Sequence, residues 1–234
     1  MSVEGVLAKM ARSAPRAAWR RLLGLIAAGL LAGSVAACHK PAAWHGIDVS
    51  GALPPLSFTM TSAATGRPVT AADYRGKVVM LYFGYTHCPD VCPLTLSNIA
   101  RALKRLGPLS GKVAVLFVTV DPNRDSLTVL KRYTSLFAPE ITGLRGTPDQ
   151  LAALARRYRV AYSVTPAHGT EPYEVTHGAG VYVFDQSGAA RLVISSLHTA
   201  KPDIPGAADD LKRLVTHGAP KGLFGRIMAL FGRL

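Results

Sequence analysis

The uninterrupted apolar run Val78–Gly84, VVMLYFG, is the feature of this sequence that most constrains the fold. A helix or strand with one face in water shows polar residues at regular intervals, and this run has none. It therefore predicts a strand that is buried on both faces, as in a parallel or mixed sheet. A second run at residues 113–120, VAVLFVTV, predicts another buried strand.

Helices and hairpins are predicted between and after these strands. Residues 94–106 have apolar side chains at helical spacing, and Pro93 suits the first turn of a helix. Ser126 or Asp125 is placed to cap the next helix, and Thr147 the one after it. The remaining predicted elements are a hairpin from residues 56–60 and 68–77, a short element at 141–144, a hairpin at 180–195 and a helix near 207–216. This order predicts an α/β fold, with a central mixed sheet flanked by helices and an N-terminal β-hairpin extension.

Residues 1–37 have the composition of an export signal. Residues 1–21 carry five basic side chains and one acidic side chain, and residues 22–37 are uncharged and end in small residues. The sequence VAAC at residues 35–38 resembles a bacterial lipoprotein box, in which Cys38 is lipidated and becomes the new N-terminus. An ordinary signal or an uncleaved anchor is the alternative. We expect the folded part on the periplasmic side of a bacterial membrane and attached to that membrane.

The rest of the chain divides into three parts: a linker at residues 38–53, one folded domain at 54–217 and a basic amphipathic tail at 218–234. The tail is expected to lie on a membrane surface or to pack on the domain. Net charge is +13, and removal of residues 1–37 leaves +9. Because an exported protein does not meet nucleic acid, this charge suits anionic lipid, acidic proteins or simply a solvated surface.

Cys88 and Cys92 form a C-x-x-x-C pair between the first buried strand and its following helix. If Cys38 carries lipid, they are the only remaining thiols. Cys92 is expected near the helix N-terminus, where a thiolate has a lowered pKa. A structural disulfide would close only a tiny loop and restrict the unfolded chain little. A redox couple and half of a metal site both remain open. Thioredoxins space their cysteines C-x-x-C, and the extra residue in this chain lets both sulfurs face a third atom as well as each other.

Two thiolates suit soft Cu(I), and an imidazole would complete a trigonal site. In thioredoxin-like folds the loop before the last hairpin passes beside the cysteine pair, and here that loop contains His177. His87 is adjacent to Cys88 in the chain, and its side chain is expected to point away from both sulfurs. His177 is therefore the candidate third ligand.

Three segments, FGYTHCPDVCP, VDPNRD and VTHGAGVYVFDQSG, resemble the Sco/SenC family of thioredoxin-like copper proteins and occur in the family's order. The resemblance runs from about residue 54 to residue 216. It implies a site for copper, as Cu(I) or Cu(II), formed by Cys88, Cys92 and His177. It also implies that Asp121 lies near this site and tunes it or contacts a partner. Asp125, in the same segment, is interpreted as a turn residue or helix cap.

The family resemblance implies delivery of copper to the binuclear copper centre of cytochrome c oxidase. The expected partners are the copper-site subunit of that oxidase, a periplasmic copper donor or thiol reductant, and the membrane, but not nucleic acid. The sequence departs from the commoner family pattern at Gly178, where serine is frequent, and at Ser126 and Leu127, where Thr-Pro is frequent. None of these departures removes a proposed ligand.

Two other functions use the same residues. Cys88 and Cys92 could act as the redox-active pair of a thiol–disulfide oxidoreductase that reduces the oxidase's copper-site cysteines. A copper or redox sensor is a third hypothesis for the function, and we favour it least because the sequence contains no output domain. We favour the copper chaperone, which leaves open whether the protein is also an enzyme.

Overall fold

The computed structural model describes residues 43–165 and 174–217. The predictions for residues 1–37, for a lipid on Cys38 and for residues 218–234 lie outside these ranges. Within the two ranges, none of the helices has the length and apolar character that a membrane crossing requires.

The described residues form ten strands and four α-helices. In chain order they are β1 (Ile47–Asp48), β2 (Thr59–Ser62), β3 (Pro68–Thr70), β4 (Val78–Gly84), α1 (Val91–Leu106), β5 (Val113–Thr119), α2 (Leu127–Thr134), β6 (Ile141–Arg145), α3 (Pro148–Arg157), β7 (Tyr162–Thr165), β8 (Glu174–His177), β9 (Val181–Phe184), β10 (Ala190–Ile194) and α4 (Ile204–His217).

Eight of these strands form one mixed sheet in the order β1-β10-β9-β4-β5-β6-β2-β3. The central strand β4 is parallel to β5 and antiparallel to β9. Every residue of β4 and β5 is buried, as their apolar runs predict. The hairpin β2–β3 extends the sheet through the pairing of β2 with β6. The predicted thioredoxin-like α/β class, with its mixed sheet and N-terminal hairpin, is confirmed.

Helix α1 begins at Val91, three residues before the predicted start, so that Cys92 is already its second residue. Pro93 lies in the first turn, where its missing N–H costs no helical hydrogen bond. The backbone N–H of Leu94 is the first to close the helix, donating to the Asp90 carbonyl at 3.1 Å. Cys92 is therefore part of the helix, and Cys88 is the cysteine that lies in front of it.

The helix caps agree with the sequence at Ser126 and Thr147. The Ser126 side chain accepts the N–H of Val129 at 3.2 Å and caps α2. Thr147 caps α3 in a reciprocal capping box with Gln150. Asp125, the alternative cap of α2, has a different role that is described with the metal centre below.

The range 38–53, predicted as a linker, contains the short strand β1, which pairs with β10. The residues before β1 are held by α4. The buried carboxylate of Asp210 accepts the backbone N–H of Gly46 at 2.8 Å and that of His45 at 3.1 Å. The Trp44 ring stacks on the Arg213 guanidinium, whose carbon lies 3.9 Å from the ring centroid. The chain is thus fixed to the domain from Trp44 onward.

Strands β7 and β8 form a separate two-stranded sheet that the sequence pattern does not predict. The four residues of β7 alternate apolar and polar side chains, but three of them are exposed and the run is short, so burial gives no sign of a strand here. His177 is the last residue of β8 and pairs with Tyr162. This hairpin, rather than a plain loop, places His177 beside the cysteine pair.

Candidate metal centre

Cys88, Cys92 and His177 converge at the carboxyl end of β4. Their ligand atoms, two sulfurs and one imidazole nitrogen, all lie within 4.8 Å of one another. In the described part of the chain this is the only group of three or more cysteine, histidine or acidic side chains close enough to share a metal ion. Cys92 Sγ lies 3.0 Å from His177 Nε2.

The last residue of β4 must be a glycine for Cys92 to occupy its place. A Cβ atom on Gly84 would lie 2.8 Å from Cys92 Sγ and 2.6 Å from the Phe117 ring. Both distances are shorter than non-bonded contacts allow, and both neighbours are buried. The absence of a side chain at Gly84 therefore lets the first turn of α1 pack directly against the end of β4.

The loop that leads to Cys88 is held by a buried carboxylate, that of Asp125, which is fully buried. It accepts the Thr86 N–H at 3.0 Å, the Thr86 hydroxyl at 2.5 Å and the Thr119 hydroxyl at 2.6 Å. The interpretation of Asp125 as a helix cap is wrong, because Ser126 caps α2. Asp125 instead joins the loop after β4 to the end of β5.

The two thiols differ in exposure and in acidity. Cys88 is half-buried, whereas Cys92 is fully buried. The Cys92 thiol and the Cys92 N–H, which lies 3.3 Å from Cys88 Sγ, stabilise a negative charge on Cys88 and lower its pKa to about 4. The hydrogen bond with Cys88, and after it burial, raises the pKa of Cys92. The sequence predicts a lowered pKa for Cys92, but the structure lowers that of Cys88, because Cys88 is the sulfur in front of the helix.

His177 is oriented by its own chain. Its Nδ1 lies 3.0 Å from the Gly178 carbonyl, which can only accept a hydrogen bond, so Nδ1 carries the ring proton. Nε2 therefore presents its lone pair to Cys92. The contact uses the backbone of Gly178, so a glycine in place of the family's frequent serine does not remove it. Tyr82 and Tyr85 pack edge-on against the imidazole, with ring centroids 6.0 and 5.8 Å away.

Asp121 lies near the centre without belonging to the ligand group. Its buried carboxylate pairs with Arg124. The Arg124 guanidinium lies over the Tyr85 ring, with its carbon 5.7 Å from the centroid, and Tyr85 packs against His177. Asp121 is thus linked to the His177 imidazole indirectly, through Arg124 and then the Tyr85 ring.

The centre opens to solvent on the Cys88 side. A shallow cavity of about 260 Å³ lies there, lined by Tyr85, Cys88, Pro89, Asp90, Val91, Val175, Thr176 and His177. Cys92 does not line it. The ring of His87 turns instead towards Thr86 and Asp125, 3.2 Å from the Thr86 hydroxyl. A molecule that approaches through this opening meets Cys88 and His177 first.

Replacement of Asp125 by alanine should destabilise the protein. The change removes three hydrogen bonds to a charged acceptor and leaves the Thr86 N–H without its partner, so we expect a loss of about 3 kcal/mol in the free energy of unfolding. Urea denaturation of the reduced, metal-free protein measures this. The matched control is Asp149→Asn, at an exposed carboxylate in α3 that should cost little. Equal urea midpoints for Asp125→Ala and the control would show that the carboxylate does not hold the loop.

The SCO1/SenC family model matches residues 55–216. The SCO2 homolog of Bos taurus mitochondria is 41% identical over 125 residues, which cover 53% of this chain and 47% of that protein. SenC of Rhodobacter capsulatus is 36% identical over 150 residues, 64% of this chain and 65% of that protein. The match thus spans about half the length of the mitochondrial relatives.

Solved structures show the same fold. The structure of Bradyrhizobium japonicum ScoI with copper bound is 36% identical, has a TM-score of 0.61, and the match covers 68% of this chain and 98% of that one. The yeast Sco1 structure with copper bound is 32% identical, with a TM-score of 0.59 and coverage of 68% and 90%. With the family model matching most of the described domain, the chain belongs to the SCO1/SenC family.

Proposed function

We propose that this protein is a copper-binding metallochaperone that delivers copper to the binuclear copper centre of cytochrome c oxidase, outside the cytoplasm. The convergence of Cys88, Cys92 and His177 carries the proposal. Two thiolates and one imidazole form a soft ligand set that suits Cu(I) and can also accommodate Cu(II). The solved ScoI and Sco1 relatives with copper bound support copper as the metal. The oxidase, through its copper-site subunit, is the recipient that the family resemblance implies.

The exposure of the ligands favours transfer over storage. Cys92 is fully buried, but Cys88 and His177 line the shallow cavity at the surface. A thiol of the recipient could therefore reach the metal from the Cys88 side and replace the ligands one at a time. A site that only stored copper would have no need of an open side.

The place of action is part of the same proposal. We propose that the protein works on the periplasmic side of a bacterial membrane, attached through a lipid on Cys38 or an uncleaved anchor. The export-type composition of residues 1–37 supports this, and so does a similar protein, a SCO1/SenC family lipoprotein of Bacillus anthracis, which is 25% identical. A periplasmic copper donor and a thiol reductant complete the expected partners, because the pair must be reduced to bind metal.

Titration of the reduced protein with copper tests the ligand assignment. We expect about one copper per chain and, for Cu(II), a thiolate charge-transfer band. Replacement of Cys88 or Cys92 by serine should abolish the band, and His177→Ala should shift it and weaken Cu(II) binding by at least tenfold.

Two variants serve as matched controls for this titration. Cys38→Ser removes the third thiol, and His217→Ala removes an exposed histidine at the end of α4. Both should bind copper as the unmodified protein does. An unchanged Cu(II) spectrum and affinity in His177→Ala would remove His177 from the ligand set.

Copper binding should release about one proton per metal ion at pH 7. Cys88, with a pKa of about 4, is already a thiolate at neutral pH, whereas Cys92 has a raised pKa and must lose its proton. Affinity should therefore fall about tenfold for each pH unit of acidification near neutrality. Titration in weakly buffered solution with a pH-stat measures the count. A release of two protons would mean that Cys88 is protonated in the metal-free protein.

Thiol–disulfide exchange is the second candidate function, and the difference between the two thiols favours it. Cys88 is accessible and ionised, as an attacking thiolate must be, and Cys92 lies behind it. The Cys88 thiolate would attack a target disulfide, form a mixed disulfide and release one target thiolate. Cys92 would then attack the Cys88 sulfur and release the second, so that the pair is oxidised and the target disulfide is reduced by two electrons.

Reaction with a chromogenic aromatic disulfide tests this activity. In a Cys38→Ser background, Cys88→Ser should react slowly, and Cys92→Ser should stop at a stable mixed disulfide. Between about pH 6 and pH 8 the rate should change little, because Cys88 is ionised throughout. Bound copper should suppress the reaction. A rate that rises about tenfold per pH unit, as for an ordinary thiol, would contradict a lowered pKa at Cys88.

A further inference from the structure

Two tyrosine hydroxyls near the metal centre are buried without a partner. In the described part of the chain, the hydroxyls of Tyr82 and Tyr133 form no hydrogen bond and are closed off from solvent. A buried hydroxyl without a partner costs about 1–3 kcal/mol. Phenylalanine would fill the same space without that cost, so each hydroxyl calls for an explanation.

Tyr82 lies beside Cys92 and His177. It belongs to β4, two residues before Gly84, so both positions face the same side of the sheet. At Gly84 the nearest atoms on that side are Cys92 Sγ and the Phe117 ring. The Tyr82 ring itself packs against Phe117 and, edge-on, against His177, with centroids 5.9 and 6.0 Å away. The fully buried Tyr82 is therefore enclosed by Cys92, His177 and Phe117.

The Tyr82 side chain lies on the same face of β4 as the Cys92 sulfur, in a buried site where its hydroxyl has no partner. Burial raises the pKa of Tyr82, and the nearby charge of Cys92 raises it further. Tyr82 in turn acts to lower the pKa of Cys92, although Cys88 and burial have larger effects in the opposite direction. Thr95 also lies close to this hydroxyl, but its own hydroxyl donates to the Val91 carbonyl at 2.7 Å and forms no bond with Tyr82.

We propose that Tyr82 is a positioning residue of the metal centre, whose hydroxyl donates a hydrogen bond to the Cys92 sulfur when that sulfur is a metal-bound thiolate. A neutral cysteine sulfur is a weak hydrogen-bond acceptor, whereas a metal-bound cysteine sulfur is a deprotonated, anionic acceptor. A thiol that binds metal releases its proton to solvent. The missing partner of the Tyr82 hydroxyl is thus created by metal binding.

The hydrogen bond would tune the metal as well as hold the sulfur. A donor to a metal-bound cysteine sulfur withdraws electron density from it, which lowers the energy of its donor orbitals and favours the reduced metal. Tyr82 would thereby favour Cu(I) over Cu(II) in the loaded protein. This inference rests on the metal-binding role proposed above.

The test compares Tyr82→Phe with Tyr133→Phe, which removes the other unpartnered hydroxyl. Tyr133 packs against Phe117 and Phe137, with centroids 5.6 and 5.3 Å away, and its hydroxyl has no hydrogen-bond partner. Both variants, metal-free and reduced, should be at least as resistant to urea as the unmodified protein. Only Tyr82→Phe should bind Zn²⁺ and copper about tenfold more weakly. Only Tyr82→Phe should move the thiolate-to-Cu(II) band to lower energy.

The outcomes separate this inference from the proposed function. If the unmodified protein binds copper but Tyr82→Phe matches it in affinity and band energy, the inference fails and the copper site stands. An equal loss in Tyr82→Phe and Tyr133→Phe also overturns it, since a general packing effect would then explain both. If the protein binds Zn²⁺ but not copper, the proposed function fails, and the zinc affinities still decide the role of Tyr82. If it binds neither, both fail.

Discussion

The hydrogen bonds that the buried Asp125 carboxylate accepts are the interactions on which the candidate metal centre depends. The loop between β4 and α1 carries Cys88 but has no ladder or helical hydrogen bonds of its own. Asp125 fixes the start of this loop through Thr86 and connects it to β5 through Thr119. The other end of the loop is fixed by α1, whose first turn packs against Gly84. Both ends of the loop are therefore held by the most buried strands of the sheet.

The start of α1 decides which cysteine is reactive. If the helix began after Cys92, its unpaired N–H groups would face that sulfur and stabilise its charge. Because it begins at Val91, the N–H of Cys92 faces Cys88 instead, and Cys92 lies in the buried first turn. A shift of one helical turn thus separates the two cysteines: the pKa of the half-buried Cys88 is lowered, and that of the buried Cys92 is raised.

The sequence predicts the buried framework well, because the apolar runs of β4 and β5 have only one stable placement. It also identifies His177, since the topology brings the segment before the last hairpin to the cysteines. It does not predict hairpin β7–β8, because β7 is only four residues long and three of them are exposed. The role of Asp125 escapes prediction for another reason: an aspartate before a helix has the same local pattern whether it caps that helix or bonds to a distant threonine.

His177 serves both candidate functions, and this determines which comparison separates them. In the proposed copper binding its Nε2 would be a ligand. In thiol exchange the same Nε2, 3.0 Å from Cys92 Sγ, is placed to take the Cys92 proton as Cys92 attacks the mixed disulfide. Loss of His177 would therefore impair both functions. The first step of exchange would need only Cys88, whereas the proposed copper site would need all three residues. Single-turnover attack by Cys88 in a His177→Ala protein therefore isolates the redox chemistry from the metal chemistry.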